Sequence, residues 1–395
     1  MIHHFLFLNG NYRGHVFPSL AIAAELVRRR HRVTYVTTAE LAETVRKAGA
    51  TPVLYQARSE GLPASGEYEW FLATGYRPFV EDMVSIVDAA EDALAGQLPD
   101  AVVYDETVSH PAHRLARKWS VPGVRLMTIF AENEHYSAAS EAFDSSAADI
   151  RAVLRFQAGL ATALADLNID LPVAEFMVPP SEELNLVMVP RAFQVAGKTF
   201  DDRYVFVGPC THEDNLAGTW SPPDDGRPLV LVSMGTSTVS AGLFRMCVEA
   251  FTGLDWHVVL AIGPRVAADE VGDLPENVEL HRWVSHREVL RHAAVVVTHS
   301  GTGTVMDSLS AGVPVLAIPR PPQRPVATRV ADLGLGRMLD PADATAELVR
   351  EHVVALAGDQ DVHARLAAMR REIEEAGGVV RAADVLEGRL ASLPR

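Results

Sequence analysis

The chain carries two cysteines in 395 residues, Cys210 and Cys247. That is too few for a disulfide framework or a thiolate metal centre, and it fits reduced thiols. Long apolar runs are missing as well. Phe5–Leu8 stops at once in Asn9-Gly10-Asn11, too short for a signal-peptide core, and no later run approaches the ~20 residues of a membrane helix. Basic charge is in deficit: Lys+Arg 35 against Asp+Glu 51 leaves −16. Such a balance offers no general attraction to nucleic acid or to an anionic membrane, although a local basic pocket for a phosphate stays open. These absences predict a soluble cytoplasmic protein with no nucleic-acid partner and no stable membrane insertion. What is present builds cores. With 48% hydrophobic and 22% charged residues the chain is globular, and its length suits two domains.

The pattern is α/β. A compact apolar segment, His3–Leu8, leads through a polar turn with two glycines into Val16–Arg30, where Leu20, Ala23, Ala24 and Val27 fall at helical spacing. Strand and helix signals then alternate, with Ala101–Tyr104, Gly123–Met127, Leu184–Val189 and Tyr204–Val207 reading as strands. Alternation of this kind means parallel β-α-β units. Cys210–Pro228 holds Gly218, Pro222, Pro223, Gly226 and four acidic residues, the composition of a linker. After it the alternation restarts at Leu229–Ser233 and continues through Val313–Ile318, followed by three helical segments. The division expected is a domain over 1–208, a linker over 209–228, a second domain over 229–375 and a terminal helix over 376–395.

Open parallel sheets bind ligands beyond the carboxyl ends of their strands. After the first strand comes Gly10-Asn11-Tyr12-Arg13-Gly14-His15, which lacks the GxGxxG spacing of a dinucleotide turn. It does put His15 at a helix start, where the helix dipole is expected to keep the imidazole neutral and able to accept a proton. Asp105 ends the strand Ala101–Tyr104 at the same crevice. It either orients His15 as in a general-base dyad or caps the helix beginning near Pro111. In the second half, Thr298-His299-Ser300-Gly301-Thr302-Gly303-Thr304-Val305 runs from a strand through a small-residue turn into a helix. That is a cradle for a phosphate or a tight structural corner, and it is not a Walker loop because no Lys follows. Asp307, eight residues after His299, is placed for a ribose hydroxyl. Trp283, beside this turn, offers a flat face for a nucleobase.

The order of these residues resembles family 1 glycosyltransferases of the GT-B fold, of the bacterial macrolide and enediyne antibiotic type, the calicheamicin glycosyltransferases in particular. The similarity runs from Gly14-His15-Val16-Phe17-Pro18-Ser19-Leu20 to Arg381-Ala382-Ala383-Asp384. It implies two Rossmann-like domains whose parallel sheets face each other across a cleft. It implies that His15 deprotonates an acceptor hydroxyl with Asp105 as its partner. Trp283 and Val284 would hold the base of a nucleotide sugar; His299, Gly301, Gly303 and Thr304 the diphosphate; and Asp307 the ribose. The turn containing Ser233, Gly235 and Thr236 would reach the donor, and the terminal helix would cross back to the first domain.

Three departures from the family pattern stand out. Its Trp-x-Pro-Gln reads Trp283-Val284-Ser285-His286, and its ribose-binding Glu is the shorter Asp307. Its sugar-gripping Asp-Gln is replaced within Arg320-Pro321-Pro322-Gln323-Arg324-Pro325, where only Gln323 survives. The resemblance therefore implies an inverting transfer of a deoxysugar from a thymidine diphosphate sugar to a small natural-product aglycone. The nucleotide sugar is a co-substrate; no cofactor and no metal are implied, and Asp359-Gln360-Asp361 reads as a solvated turn. The acceptor is expected against two aromatic clusters, Trp70, Phe71 and Phe79, then Phe130, His135, Tyr136 and Phe143, for which ordinary helix packing is the other reading. A homodimer stays open. The competing functions are a GT-B sugar-nucleotide epimerase or hydrolase, and a non-catalytic activator of another transferase.

Overall fold

The computed structural model describes residues 1–59, 76–137, 150–178, 180, 182–211, 220–224, 226–235 and 240–392. Two all-parallel sheets form its frame. The first joins β1 (His4–Leu8), β2 (Arg32–Thr37), β3 (Thr51–Leu54), β4 (Ala101–Asp105), β5 (Gly123–Met127), β6 (Asn185–Val187) and β7 (Tyr204–Phe206), in the order β3-β2-β1-β4-β5-β6-β7. The second joins β8 (Leu229–Ser233), β9 (His257–Ala261), β10 (Val278–His281), β11 (Ala293–Thr298), β12 (Val315–Ala317) and β13 (Gly336–Met338), in the order β10-β9-β8-β11-β12-β13. Central strands such as Phe5–Leu8 and Val230–Val232 are buried along their whole length. Helices cover both faces, which is why these strands read as unbroken apolar runs. This is the expected α/β, GT-B arrangement.

Two local readings change. Helix Arg13–Arg28 starts three residues earlier than the apolar spacing suggested, taking His15 into its first turn. The stretch after β12 holds a strand, β13, besides its helices. β13 is three residues long, too short to show a period, and Gly336 leaves no room for a side chain against the Val315 backbone.

Each sheet reverses its strand order once. In the first the switch falls between β1 and β4, in the second between β8 and β11. Such a reversal opens a crevice at the carboxyl ends, because the helices leaving the two strands depart to opposite faces. His15 and Asp105 follow or end the first pair of strands; Ser233 and His299 do the same for the second.

The two parts are joined in several places. Arg329, on helix Arg324–Asp332, donates to the carbonyls of Ala192, Phe193 and Gln194 at 2.8–3.2 Å. Helix Gly378–Ala391 returns to the first sheet, where Ala382, Ala383 and Leu386 join the core beneath β1. Arg29 holds it there, bonding Asp384 and Glu387 at 2.6 Å while also bonding Glu25. The chain passes between the parts at neighbouring points: Gly378 N–H donates to Val207 O at 2.7 Å, and a Cβ on Gly208 would lie 3.0 Å from that of Ala376. Among the described residues, no helix is long and apolar enough to cross a membrane.

Candidate active site

His15 and Asp105 meet as the topology requires. Nδ1 of His15 lies 3.0 Å from Asp105 Oδ2, although the two residues are 90 apart in sequence. The other Asp105 oxygen accepts from the Thr107 N–H at 2.9 Å and from its hydroxyl, so the carboxylate is fixed at both ends. Asp105 thus reaches His15 and caps the short turn Glu106–Val108; helix Ser109–Trp119 begins at Val108 without it. Gly10 is needed for the approach, since a Cβ there would stand 2.9 Å from Thr107 Oγ1.

Two neighbours escaped the sequence reading. Thr128 Oγ1 lies 2.9 Å from His15 Nδ1, and Glu106 Oε1 lies 4.0 Å from it. Asp105 and Glu106 together correct the expectation that His15 stays neutral. Burial opposes the imidazolium, but the Asp105 charge, its hydrogen bond and the Glu106 charge outweigh burial and push the His15 pKa up to about 9. A helix end contributes roughly 0.3–1 kcal/mol, whereas a carboxylate in contact shifts a pKa by about 1–3 units. The carboxylates win. One ligand atom each of His15, Asp105 and Glu106 lies within 4.8 Å of the others, a grouping that has the composition and spacing to hold a metal ion. Asp359, of the Asp-Gln-Asp run, caps helix Gln360–Ala376 by accepting from Asp361 and Val362 N–H groups.

Across the cleft, β11 runs through His299, Ser300 and Gly301 into helix Thr302–Ala311. Ser300 adopts φ +70, a left-handed turn, and Gly301 caps the helix without a side-chain bond. The first-turn N–H groups of Thr302, Gly303 and Thr304 are therefore not taken by a capping side chain, which is the arrangement that binds anions. The His299 ring is wedged between glycines. A Cβ on Gly235 (φ +78) would enter the ring, and one on Gly301 would lie 2.9 Å from Cε1. Burial first, then the Arg320 charge, hold the His299 pKa down to about 4 against a hydrogen bond to the Ser233 backbone, so the ring is neutral and carries one N–H. Its Nδ1 and the Ser300 hydroxyl are buried with no protein partner among the described residues. Asp307 sits in the next turn, its pKa raised to about 6 by burial, which the Arg287 charge partly offsets.

Trp283 lies two residues past β10 and is 36% exposed, as a stacking platform needs. Val284 packs its side chain into the core. Ser233, at the tip of β8, is buried, and Thr236 lies outside the described residues. Gln323 ends the short turn Pro321–Gln323, while Arg324 pairs with Asp340 at 3.1 Å.

The acceptor-side residues separate. Trp70, Phe71 and Phe143 lie outside the described residues. Phe79 approaches Tyr12 with ring centroids 6.4 Å apart, close to the His15 turn. Phe130 and Tyr136 are corrected to core residues. Phe130 stacks on Phe193 at 5.7 Å and meets Tyr136 edge-on at 5.7 Å, in the core cluster that continues into the second sheet. Packing spends both rings. His135 is exposed beside Glu134, away from that cluster's interior.

Known proteins resemble the chain over most of its length. Residues 245–377 match the family described as erythromycin biosynthesis protein CIII-like, C-terminal domain. The demethyllactenocin mycarosyltransferase of Streptomyces fradiae is 37% identical, over 96% of this chain and 84% of its own. The oleandomycin glycosyltransferase of Streptomyces antibioticus is also 37% identical, over 95% of this chain and 88% of its own. Among solved structures, the calicheamicin glycosyltransferase CalG4 superposes with a TM-score of 0.81 at 39% identity, covering 99% of each chain. The chain therefore belongs to the antibiotic-type, nucleotide-sugar-dependent glycosyltransferases of the GT-B fold.

Proposed function

We propose that the chain inverts the anomeric centre of a deoxysugar as it moves it from thymidine diphosphate to a hydroxyl of a small natural-product aglycone, with His15 as the base. The observation that carries this reading is the His15–Asp105 contact of 3.0 Å at one switch point, set opposite the uncapped Gly301–Thr304 turn at the other. The acceptor O–H proton passes to His15 Nε2 as the oxygen attacks the anomeric carbon. The bond from that carbon to the diphosphate oxygen breaks, and its electron pair leaves with the diphosphate. First-turn N–H groups of the Gly301–Thr304 turn, beside His299, meet that charge, while Asp105 stabilises the imidazolium. Holding both reactants in one cleft supplies the rest of the barrier reduction.

Trp283 takes the nucleobase and Asp307 the ribose. The sugar faces Arg320–Pro325, which brings Gln323 but no carboxylate. Each sugar hydroxyl left without a partner there costs about 1–3 kcal/mol, so a deoxysugar is favoured over glucose. The relatives named for mycarosyl transfer and for oleandomycin support an antibiotic-type acceptor. An epimerase or hydrolase would need further acid or base groups at the sugar, and the Arg320–Pro325 stretch contains no carboxylate.

Mass-spectrometric screening of thymidine and uridine diphosphate sugars against hydroxylated aglycones tests this reading. A thymidine diphosphate deoxysugar is expected to exceed uridine diphosphate glucose in kcat/KM. Equal or better use of uridine diphosphate glucose would overturn the donor assignment.

A further inference from the structure

Asp105 is not the only carboxylate that acts on His15. Glu106, the next residue, brings Oε1 to 4.0 Å from His15 Nδ1, with Thr128 between them. Thr128 follows β5, the strand beside β4, and its side chain is almost fully buried. Its hydroxyl donates to Glu106 Oε1 at 3.2 Å and lies 2.9 Å from His15 Nδ1. With that hydrogen committed to Glu106, Thr128 turns a lone pair toward Nδ1, where only an N–H can meet it. Asp105 Oδ2, 3.0 Å from the same Nδ1, is also an acceptor, so the two oxygens share its one N–H. Both acceptors demand the same tautomer.

Adjacent carboxylates in a closed site are costly. Burial, then the Asp105 charge, hold Glu106 above the usual carboxylate range, with His15 and Arg125 opposing and Glu132 adding to the repulsion. A His–Asp dyad by itself needs no such residue. We infer that Glu106, acting through Thr128, is a positioning residue for His15: it aims the Thr128 lone pair at Nδ1–H, fixes the ring with Nε2 toward the substrate, and adds a second negative charge behind the base. The inference rests on the reading of His15 as the base.

The arrangement has a measurable consequence. Among the described residues, Asp105, Glu106, Thr128 and the Tyr12 ring, whose centroid is 6.0 Å from that of His15, contact or face the imidazole. A second negative charge keeps the ring protonated to higher pH, so the free base appears only as pH rises toward about 9. Removing that charge while keeping its shape must move the change to lower pH.

The test uses the full chain with Glu106→Gln and Thr128→Val. Ring-labelled histidine NMR, assigned by the signal lost in His15→Gln, follows the His15 midpoint, and kcat/KM is measured from pH 6 to 10. Glu106→Gln is expected to lower the midpoint and the acid limb together by about one pH unit, raising the ratio of activity at pH 7 to that at pH 9. Thr128→Val is expected to shift both in the same direction by less, and it serves alone should Glu106→Gln fail to fold. A parent-like midpoint and limb in the folded variants would overturn the inference. Parent-rate transfer by His15→Ala would instead overturn the reading of His15 as base.

Discussion

The Arg13 guanidinium lies over the Trp283 indole, its carbon 5.1 Å from the ring centroid, so the first turn of the His15 helix touches the aromatic platform of the second sheet. Arg13 also pairs with Glu40 on its own side. The contact puts the proposed base and the proposed nucleobase platform on facing walls of one cleft. Base–aromatic stacking is worth about 1–3 kcal/mol, so Trp283→Ala should weaken thymidine diphosphate binding roughly 5- to 150-fold by calorimetry. Trp283→Phe should retain a larger share. Unchanged affinity in the alanine variant would remove Trp283 from the site.

The glycine at 235 makes a sharper test of the donor turn. Its φ of +78 and the His299 ring against it leave no space for a methyl group. Gly235→Ala should displace His299 and lose nucleotide affinity, while the far sheet, and so most of the near-ultraviolet spectrum, stays native. Parent affinity in a folded Gly235→Ala would show that His299 is not held for the ligand.

Asp307 brings a pH dependence to binding. Burial places its pKa near 6, so it is ionised above that value and neutral below. An ionised carboxylate is the stronger acceptor for a ribose hydroxyl. Nucleotide affinity should therefore fall as pH drops from about 7.5 to 5.5, with Asp307→Asn lacking this step. The nucleotide's own phosphate titration is common to both proteins and cancels in their ratio.

Stability is expected to depend on the returning helix. Arg29 is mostly buried and bonds Glu25, Asp384 and Glu387 at once. Hydrogen bonds to charged groups contribute about 1.5–3 kcal/mol, and removing the shared partner leaves Glu25 to Arg28 and Glu387 to His31, with no Arg29 bridge between the two helices. Arg29→Ala should lower the urea midpoint of the first sheet's unfolding. An unchanged midpoint would mean that apolar packing by Ala382, Ala383 and Leu386 alone fixes the helix.

Much of this was legible in the chain itself. Strand, turn and helix around His15, and again around His299, are local patterns, and the switch-point rule then places their ends at clefts. Asp105 could be found because it sits at a strand tip. Glu106 and Thr128 could not, since their roles depend on β4 lying beside β5, and an acidic residue after another reads as a solvated pair. The charge state of His15 was misread for the same reason: the helix dipole is local, while the carboxylates that outweigh it arrive from 90 residues away. Phe130 and Tyr136 carry no sequence mark that separates a core aromatic from a ligand-facing one. Only the stacking of Phe130 on Phe193, which belongs to a distant loop, and the edge-on contact of Tyr136 with Phe130 assign them.

The account turns on His15 as the base of an acceptor-dependent transfer. Release of thymidine diphosphate from its deoxysugar, measured with and without acceptor in the parent and in His15→Ala, addresses that directly. The parent should need acceptor for fast release. His15→Ala should bind thymidine diphosphate with parent affinity yet turn over about 10²–10⁴-fold more slowly with acceptor present, the usual share of a general base. Parent-rate transfer by His15→Ala, or release that ignores the acceptor, would contradict the account.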